Sequence, residues 1–216
     1  PLLTMIADQQ ASLYMSGVEK GTTKITNGTG SFIDMIVGDQ PFPGYIGIYP
    51  MVALSTGDKT LYLLEGFVNS TGSAIDWLKK VDLIEDYDEI SLACNDEKES
   101  ELTFIPAFSG LATPYVEPGI KGTIMNVTMD TSKEDLVRGM ITGLAMRCGE
   151  VIDSLEKVSK VKVDSVLADG GASRIDEFLQ IISNISEKKI KRPQMLNGSA
   201  YGTYMLAKGI LKGNNI

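Results

Sequence analysis

An abrupt change from apolar to polar residues marks the start of the chain. Residues 2–7 form an apolar run that is typical of a buried strand, and the run stops at Asp8. Small and apolar residues then resume at roughly helical spacing. The pattern predicts a strand that ends at Asp8 and a helix that follows it. Because the sequence opens inside this predicted strand, we expect the chain to be part of a longer protein.

Strand patterns dominate the next part of the chain. Residues 24–37 predict two short strands around a glycine-rich turn at residues 28–30, and residues 60–69 predict a further strand. Residues 70–80 predict a helix that begins at Ser70 or Thr71. The acidic stretch 82–101 indicates helical pieces and loop at the surface.

The second half alternates between strand and helix patterns. Residues 101–110 indicate strand and loop, and the Pro- and Gly-rich residues 111–123 indicate an irregular connection. A long helix is predicted after Ser132, with an apolar stripe every three or four residues. The stripe comprises Leu136, Met140, Leu144, Cys148, Val151 and Leu155. Gly139 and Gly143 lie on another face, where small residues permit close backbone packing.

The last elements complete this alternation. Residues 163–173 predict a strand that runs into a glycine turn, 174–185 a helix, 188–194 a short strand and 199–211 a final helix. Antiparallel strands followed by alternating strand and helix are typical of a layered α/β domain with a mixed sheet.

Composition and charge exclude several classes of function. The 216 residues carry a formal net charge of −8, which argues against a nucleic-acid partner. The short basic run 187–193 is interpreted as a solvated strand edge. The chain has no histidine, which excludes Ser-His-Asp and Cys-His catalysis and makes a catalytic zinc site improbable. Cys148 is expected to be a buried thiol, and the residues give no set of metal ligands.

The sequence shows no signal peptide and no apolar run of membrane-spanning length. We therefore expect a cytoplasmic protein without a membrane partner.

Three glycine turns carry the candidate chemistry. They occupy residues 26–32, 69–74 and 167–174, each at a junction between elements. Glycines at such junctions let backbone N–H groups approach an anion, and a helix N-terminus adds its dipole, so phosphate is the natural ligand. One such turn is more typical of an ordinary hairpin, and neither common nucleotide fingerprint is present. Three turns in one domain leave a nucleotide site and structural turns as open alternatives.

The same segments carry a family resemblance. The motifs are "ADQQASLYMSG", "NGTGSF", "LLEGFVNSTGSAIDWL", "PAFSGLATPY", "KGTI" and "ADGGAS". In this order and spacing, the chain resembles the C-terminal domain of the FGGY carbohydrate kinases, and within them the glycerol-kinase branch. The resemblance implies an actin-like, ribonuclease H-like fold, with residues 1–216 as the second, nucleotide-binding domain. The N-terminal domain is then absent from this chain.

The resemblance also implies roles for individual residues. It implies that Asp8 is the general base that acts on the polyol hydroxyl. It also implies that Gln9 helps hold the polyol and that Phe32 packs on the carbon skeleton of the polyol. From the residues alone, a cap on the following helix is the favoured role of Asp8, and one Asp could fill both roles. The positions that the resemblance places along the nucleotide are Thr29, Gly30, Gly72, Asp76, Gly171, Ala172 and Ile175.

Four positions depart from the usual pattern of the family. Asn27 stands where a Tyr is usual, and Val116 stands where a Trp is usual. Asp76 replaces a Gln and Ile175 an Asn near the nucleotide. These departures bear on base recognition and leave the phosphate turns and Asp8 intact.

The resemblance thus implies an ATP- and Mg²⁺-dependent transfer of phosphate to glycerol, giving glycerol 3-phosphate. The alternatives are another polyol or sugar kinase of the family, or a non-catalytic actin-like nucleotide-binding module. The expected partners are the polyol, ATP or ADP, the N-terminal domain and, as an open option, a second copy of the chain. The isolated chain is expected to be inactive, since a two-domain clamp needs both halves to close.

Overall fold

The computed structural model describes residues 2–56, 59–95, 101–193 and 198–212. The helices are α1 (Asp8–Ser16), α2 (Thr71–Lys80), α3 (Asp88–Asn95), α4 (Lys133–Ser159), α5 (Asp176–Ser186) and α6 (Gly198–Leu211). The strands are β1 (Thr23–Asn27), β2 (Ser31–Gly38), β3 (Tyr49–Ser55), β4 (Thr60–Val68), β5 (Thr103–Ile105), β6 (Thr123–Met125), β7 (Ser165–Asp169) and β8 (Lys189–Lys191). A short 3-10 helix covers Ala172–Arg174.

Within the described ranges, six strands form one mixed sheet in the order β3-β4-β2-β1-β7-β8. The strands β1 to β4 pair antiparallel, whereas β7 runs parallel to both β1 and β8. This topology confirms the predicted α/β class with a mixed sheet. The sequence pattern missed β3 and β6, and residues 96–100 of the acidic stretch and Gln194 of the last predicted strand lie outside the described residues.

The predicted strand over residues 2–7 is wrong. This segment has no regular structure, and Leu2 and Met5 are 85% and 89% exposed. The edges of the sheet are occupied by β3 and β8, and the apolar run pairs with neither. The helix that follows does begin at Asp8, as predicted.

The long helix α4 packs across one face of the sheet and contributes nine of the 32 buried residues that the structure describes in the main hydrophobic core. Ser132 caps it, since its hydroxyl accepts a bond from the Asp135 N–H while the Asp135 carboxylate accepts one from the Ser132 N–H. Met140, Leu144, Cys148, Val151 and Leu155 are buried as predicted. Leu136 is only half-buried and Val137 takes its place in the core.

The glycines of α4 allow a neighbouring segment to pack closely against the helix, as predicted from their shared face. A β-carbon at Gly139 would overlap the side chain of Leu102, and one at Gly143 would overlap the carbonyl oxygen of Phe104. The segment around β5 therefore lies directly against the helix backbone. Cys148 of the same helix is fully buried, and burial raises the pKa of its thiol to about 12.

The opposite face of the sheet carries a row of charged side chains. Lys24, Asp34 and Glu65 are cross-strand neighbours on β1, β2 and β4. Lys24 and Asp34 are 0% and 2% exposed. Burial and the neighbouring Glu65 raise the pKa of Asp34 to about 7, against an opposing effect of Lys24, and a smaller repulsion comes from Asp169. Burial also raises the pKa of Glu65. The two carboxyl groups consequently hold a proton more tightly than exposed acids do.

We predict that Gly143→Ala destabilises the protein by roughly 1–3 kcal/mol, because the new methyl group meets backbone rather than a flexible side chain. The matched control is Gly209→Ala in α6, where the added β-carbon would lie 3.9 Å from the Tyr14 hydroxyl. That change should be neutral or stabilising by up to about 1 kcal/mol, since Ala is the better helix former. Urea denaturation measures both variants, and equal stability of the two would contradict the packing argument.

We predict that Asp34→Asn changes how stability depends on pH. Asp34 binds its proton more tightly in the folded protein, so its contribution to the free energy of unfolding falls as pH rises from about 4 to about 7. Asn does not titrate, so the variant does not lose this contribution to the free energy of unfolding as pH rises. Relative to the parent, Asp34→Asn should therefore gain on the order of 2–4 kcal/mol between about pH 5 and about pH 8.

Urea denaturation at several pH values measures this difference. The control is Asp39→Asn, which removes an exposed carboxylate directly after β2 and outside the buried charged row. A constant difference for Asp34→Asn would show that Asp34 is ionised normally.

Candidate functional site

Two of the three glycine turns are in direct contact. The turn at residues 28–30 joins β1 to β2, and α2 begins against it. The Gly72 N–H donates to the Gly28 carbonyl at 3.0 Å, and the Ser73 N–H donates to the Thr29 carbonyl at 3.2 Å. A β-carbon at Gly72 would overlap the Gly28 carbonyl oxygen. Gly72 therefore lets the helix approach the turn closely, and its own N–H is engaged by that turn.

The third turn follows β7 and packs against the same strand end. Gly170 has φ +92°, and a β-carbon there would overlap the backbone of Asn27. Glycine is thus required at this position both for its conformation and for the close contact. Because β1 and β7 are parallel, their carboxyl ends bring the turn at 28–30 and the turn after Asp169 together.

A chain of buried polar side chains links all three turns. The Asn27 amide donates to the Ser173 hydroxyl at 2.9 Å, and the Ser173 hydroxyl donates to the Asp169 carbonyl at 2.6 Å. On its other side Asn27 accepts a bond from Ser31, whose hydroxyl also lies 2.6 Å from that of Thr71. Asn27 is fully buried. Asn27, one of the four positions that depart from the pattern of the resemblance, therefore connects the turns through hydrogen bonds.

The predicted nucleotide-side residues differ in what they present. Thr29 and Gly171 are exposed at the turns, and Asp76 is exposed on α2. A β-carbon at Gly171 would meet no atom within 4 Å, so open space lies in front of it. Gly30 is buried in its turn, and Ala172 and Ile175 are 3% and 2% exposed and belong to the hydrophobic core. The side chains of Ala172 and Ile175 point into protein, so a ligand would reach only their backbone.

Asp8 lies at the exposed first position of α1. Its carboxylate accepts a bond from the Gln9 N–H at 2.9 Å, and its carbonyl accepts one from the Ser199 hydroxyl of α6 at 3.0 Å. A β-carbon at Gly202 would overlap the Ala11 backbone, so α6 packs closely against α1. The N-cap residue of α1 is Ala7 and no side chain caps the helix, so the capping role considered for Asp8 is wrong. The Asp8 carboxylate lies in the first turn and faces solvent. Gln9 beside it is half-buried.

The predicted aromatic residue of the polyol site belongs to a stack. Phe32 is half-buried on β2, and its ring packs on that of Phe67 at a centroid distance of 5.7 Å. Phe67 in turn packs on Tyr49 at 5.9 Å. The stack lies on the charged face of the sheet, because Phe32 is two residues before Asp34 on the same strand.

A buried ion pair ties α1 to the turns, and sequence reasoning missed it. The Lys24 ammonium donates to one Asp169 carboxylate oxygen at 2.8 Å, and the Ser12 hydroxyl donates to the other at 2.8 Å. Lys24 also contacts the Thr26 hydroxyl. Asp169 directly precedes the two glycines of the third turn, and Ser12 lies about one helical turn after Asp8. The signal in the sequence was a lysine in the short strand before the first glycine turn.

Two classes of feature are absent from the described part of the chain. No group of three or more His, Cys, Asp or Glu side chains is placed to hold a metal ion. None of the described helices is both long enough and apolar enough to cross a membrane.

Comparison with known proteins places this geometry in a family. Residues 23–208 match the family model described as the C-terminal domain of the FGGY family of carbohydrate kinases. The chain is 33% identical over 208 residues to an uncharacterized sugar kinase of Archaeoglobus fulgidus, and this match covers 96% of the chain and 42% of the relative. It is 32% identical over 209 residues to glycerol kinase 5 of Danio rerio, covering 96% of the chain and 40% of that protein.

A solved structure agrees with these matches. The crystal structure of Plasmodium falciparum glycerol kinase with ADP superposes with a TM-score of 0.91 at 29% identity, covering 98% of this chain and 43% of that one. The neighbouring structures have the actin-like, ribonuclease H-like fold of sugar kinases, so the predicted fold is confirmed. The chain spans about two-fifths of the length of these relatives. From the match over residues 23–208, the chain belongs to the FGGY family of carbohydrate kinases and carries its C-terminal domain.

Proposed function

We propose that this chain is the C-terminal part of an ATP-dependent glycerol kinase, which transfers the γ-phosphate of ATP to glycerol and releases glycerol 3-phosphate. The observation that carries the proposal is the joining of three glycine turns and the Asp8 helix through Asp169 and Asn27. Similarity to glycerol kinases from several organisms supports the choice of glycerol.

The turns supply the phosphate side of this proposal. Thr29 presents a hydroxyl on an exposed glycine turn, and Gly171 leaves open space at the turn after β7. Backbone N–H groups and a hydroxyl in such turns bind phosphate oxygens without a cationic side chain. The relative solved with ADP supports a nucleotide ligand. Bound Mg²⁺ would neutralise charge on the terminal phosphates during transfer.

Asp8 supplies the acceptor side. Its exposed carboxylate accepts the proton of a polyol hydroxyl while that oxygen forms a bond to the γ-phosphorus and the bond to the β-phosphate oxygen breaks, leaving ADP. A carboxylate is a weak base, with a reference pKa of about 3.9, yet it suffices for a reaction whose transition state is loose and in which positioning dominates. Gln9 and Phe32 would hold the polar and carbon parts of the polyol.

The remaining length of the relatives supports a second domain. Since the chain spans about two-fifths of them, we propose that the rest of the protein closes over the turns and completes both binding sites. Exclusion of water by this closure would favour transfer to the polyol over hydrolysis. The isolated chain would then bind nucleotide weakly and show no turnover. We place the complete protein in the cytoplasm, where ATP and polyols are available.

A kinase acting on another polyol or sugar is the second candidate, and the similarity to a sugar kinase of Archaeoglobus fulgidus favours it. ADP release by the full-length protein, measured with glycerol and with a panel of other polyols and sugars, separates the two. Nucleotide binding without ADP release for any acceptor would instead indicate a non-catalytic module.

We predict that Asp8→Asn in the full-length protein lowers kcat by about 10²–10⁴, the usual contribution of a general base, and leaves the affinity for ADP unchanged. Asp88→Asn is the control, because Asp88 is likewise an exposed acid at the first position of a helix. It should retain full activity. Glycerol-dependent ADP release and calorimetric ADP binding measure the two effects, and normal turnover by Asp8→Asn would refute the assignment of the base.

We predict that Gly171→Ala weakens ADP binding by about tenfold or more without altering stability, since each lost 1.4 kcal/mol is a factor of ten. The added methyl group meets no protein atom within 4 Å, so only a ligand can feel it. Gly119→Ala is the matched control, since a β-carbon there also meets nothing within 4 Å. Unchanged affinity for ADP in Gly171→Ala would remove this turn from the nucleotide site.

A further inference from the structure

Tertiary contacts set the position of the helix that carries Asp8. The helix α1 is nine residues long, and its N-cap residue, Ala7, provides no side-chain cap. A helix of this length is marginal on its own, so it depends on the elements that pack against it. The place of the Asp8 carboxylate is therefore decided by the contacts that the rest of α1 makes.

Ser12 connects α1 to the end of β7. Ser12 is 3% exposed, and its hydroxyl donates to one Asp169 carboxylate oxygen at 2.8 Å. The other oxygen of that carboxylate accepts a bond from the fully buried Lys24 ammonium, also at 2.8 Å. A hydrogen bond to an ionised group is roughly twice as strong as one between neutral groups. Because it is also directional, whereas apolar contacts are not, it holds α1 at a defined distance from β7.

Both partners of this bond lie close to residues of the proposed catalytic site. Ser12 follows Asp8 by four residues, and side chains at this spacing share one face of a helix. Asp169 precedes Gly171 by two residues, and the turn at Gly171 is the one proposed to bind phosphate. Ser173 holds the same turn, since its hydroxyl donates to the Asp169 carbonyl at 2.6 Å. The bond is therefore a short path between the proposed base and the proposed phosphate turn.

The start of α6 covers this bond. A β-carbon at Gly198 would overlap the Ser12 hydroxyl oxygen and would lie 3.0 Å from the Asp169 carboxylate. Gly198 is buried, and the hydroxyl of the next residue, Ser199, donates to the Asp8 carbonyl at 3.0 Å. The lack of a side chain at Gly198 lets α6 shield the bond from water, which strengthens it.

We propose that Ser12 is a positioning residue for phosphate transfer. Through Asp169 it holds α1, and with it the Asp8 carboxylate, in a fixed place relative to the phosphate turn. This role rests on the proposed function, in which Asp8 is the base and the turn after β7 binds phosphate. Catalytic groups need to lie within about 0.5 Å of their productive geometry. Ser12 itself is buried and acts only through Asp8.

Ser12→Ala in the full-length protein tests this role. Ala favours the helix but cannot donate to Asp169. With the best acceptor, we expect kcat to fall by about tenfold to a hundredfold, the usual effect of a misplacement of up to about 1 Å. The KM values for ATP and acceptor and the affinity for ADP should stay within about twofold of the parent, because ground-state binding is retained. An unchanged kcat, or an ADP affinity that falls as much as kcat, would overturn the proposal.

Ser186→Ala is the matched control for a loss of stability. Ser186 is also a buried helical serine, 5% exposed, and its hydroxyl donates to the Ile182 carbonyl of α5 at 2.7 Å. Its removal should leave kcat unchanged even where it lowers the midpoint of thermal unfolding. If both variants lost kcat equally, the effect of Ser12→Ala would be a general structural one, and the positioning role would be wrong.

Gly198→Ala disturbs the same bond from the side of α6. Its methyl group displaces the Ser12 hydroxyl, so kcat should fall here as well. Once the bond is broken, removal of the hydroxyl has no further effect. In the Gly198→Ala background, Ser12→Ala should therefore change kcat by less than about twofold. Multiplicative effects of the two changes would show that they act independently, which contradicts a role through this bond.

Hydrogen exchange of the full-length protein without ligands separates this proposal from the proposed function. Ser12→Ala should speed exchange of the α1 N–H groups by about tenfold or more, while the N–H groups of β2 and β4 stay protected. Unchanged exchange in α1 would refute the anchoring by Ser12. If the parent phosphorylates no acceptor but this selective change occurs, the proposed function fails and the anchoring stands. If the parent is active and Ser12→Ala has the parental kcat, only the positioning role fails.

Discussion

The buried ion pair between Lys24 and Asp169 is the interaction on which the site depends. It joins neighbouring parallel strands, and Ser12 extends it to α1. Removing one partner of a buried pair leaves an uncompensated charge, which typically costs about 3–5 kcal/mol. The pair therefore fixes the relative positions of the Asp8 helix and the turn after β7, although neither charged group needs to contact a ligand.

Hydrogen bonds from neighbouring elements hold the glycine turns in place, and these bonds limit which parts of the turns can bind a ligand. The N–H groups of Gly72 and Ser73 are used by carbonyls of the turn at residues 28–30, so the start of α2 buttresses that turn. The buried amide of Asn27 does the same for the turn after β7. In the proposed function, phosphate recognition would come from the exposed parts of the turns, at Thr29 and around Gly171, while Gly72 and Gly170 permit close packing.

Local patterns gave most of the fold, and tertiary contacts account for the failures. The glycine hairpin, the capped helix α4 and its glycine face were predictable because each depends on neighbours in sequence. The run at residues 2–7 looks like a strand, yet no edge of the sheet receives it. The strand β3 was missed because only two of its seven residues, Ala53 and the half-buried Met51, pack into a small apolar cluster. The charged row was unpredictable, since Lys24, Asp34 and Glu65 become neighbours only through pairing of three strands.

The two faces of the sheet differ in character: one carries the main apolar core, and the other carries the buried charged side chains. Alternation along β1 and β2 sends Ile25, Ile33 and Met35 to the α4 face, where they are fully buried in the main core. The same alternation sends Lys24 and Asp34 to the α1 face, where burying charge is costly. A large apolar core on one face can compensate for that cost on the other. Changes in the α4 core should hence affect folding first, whereas changes in the polar face reach the positions of Asp8 and of the turns. In the proposed function, this arrangement keeps buried ionisable groups beside the ligand site, at a cost in stability that the apolar core on the other face offsets.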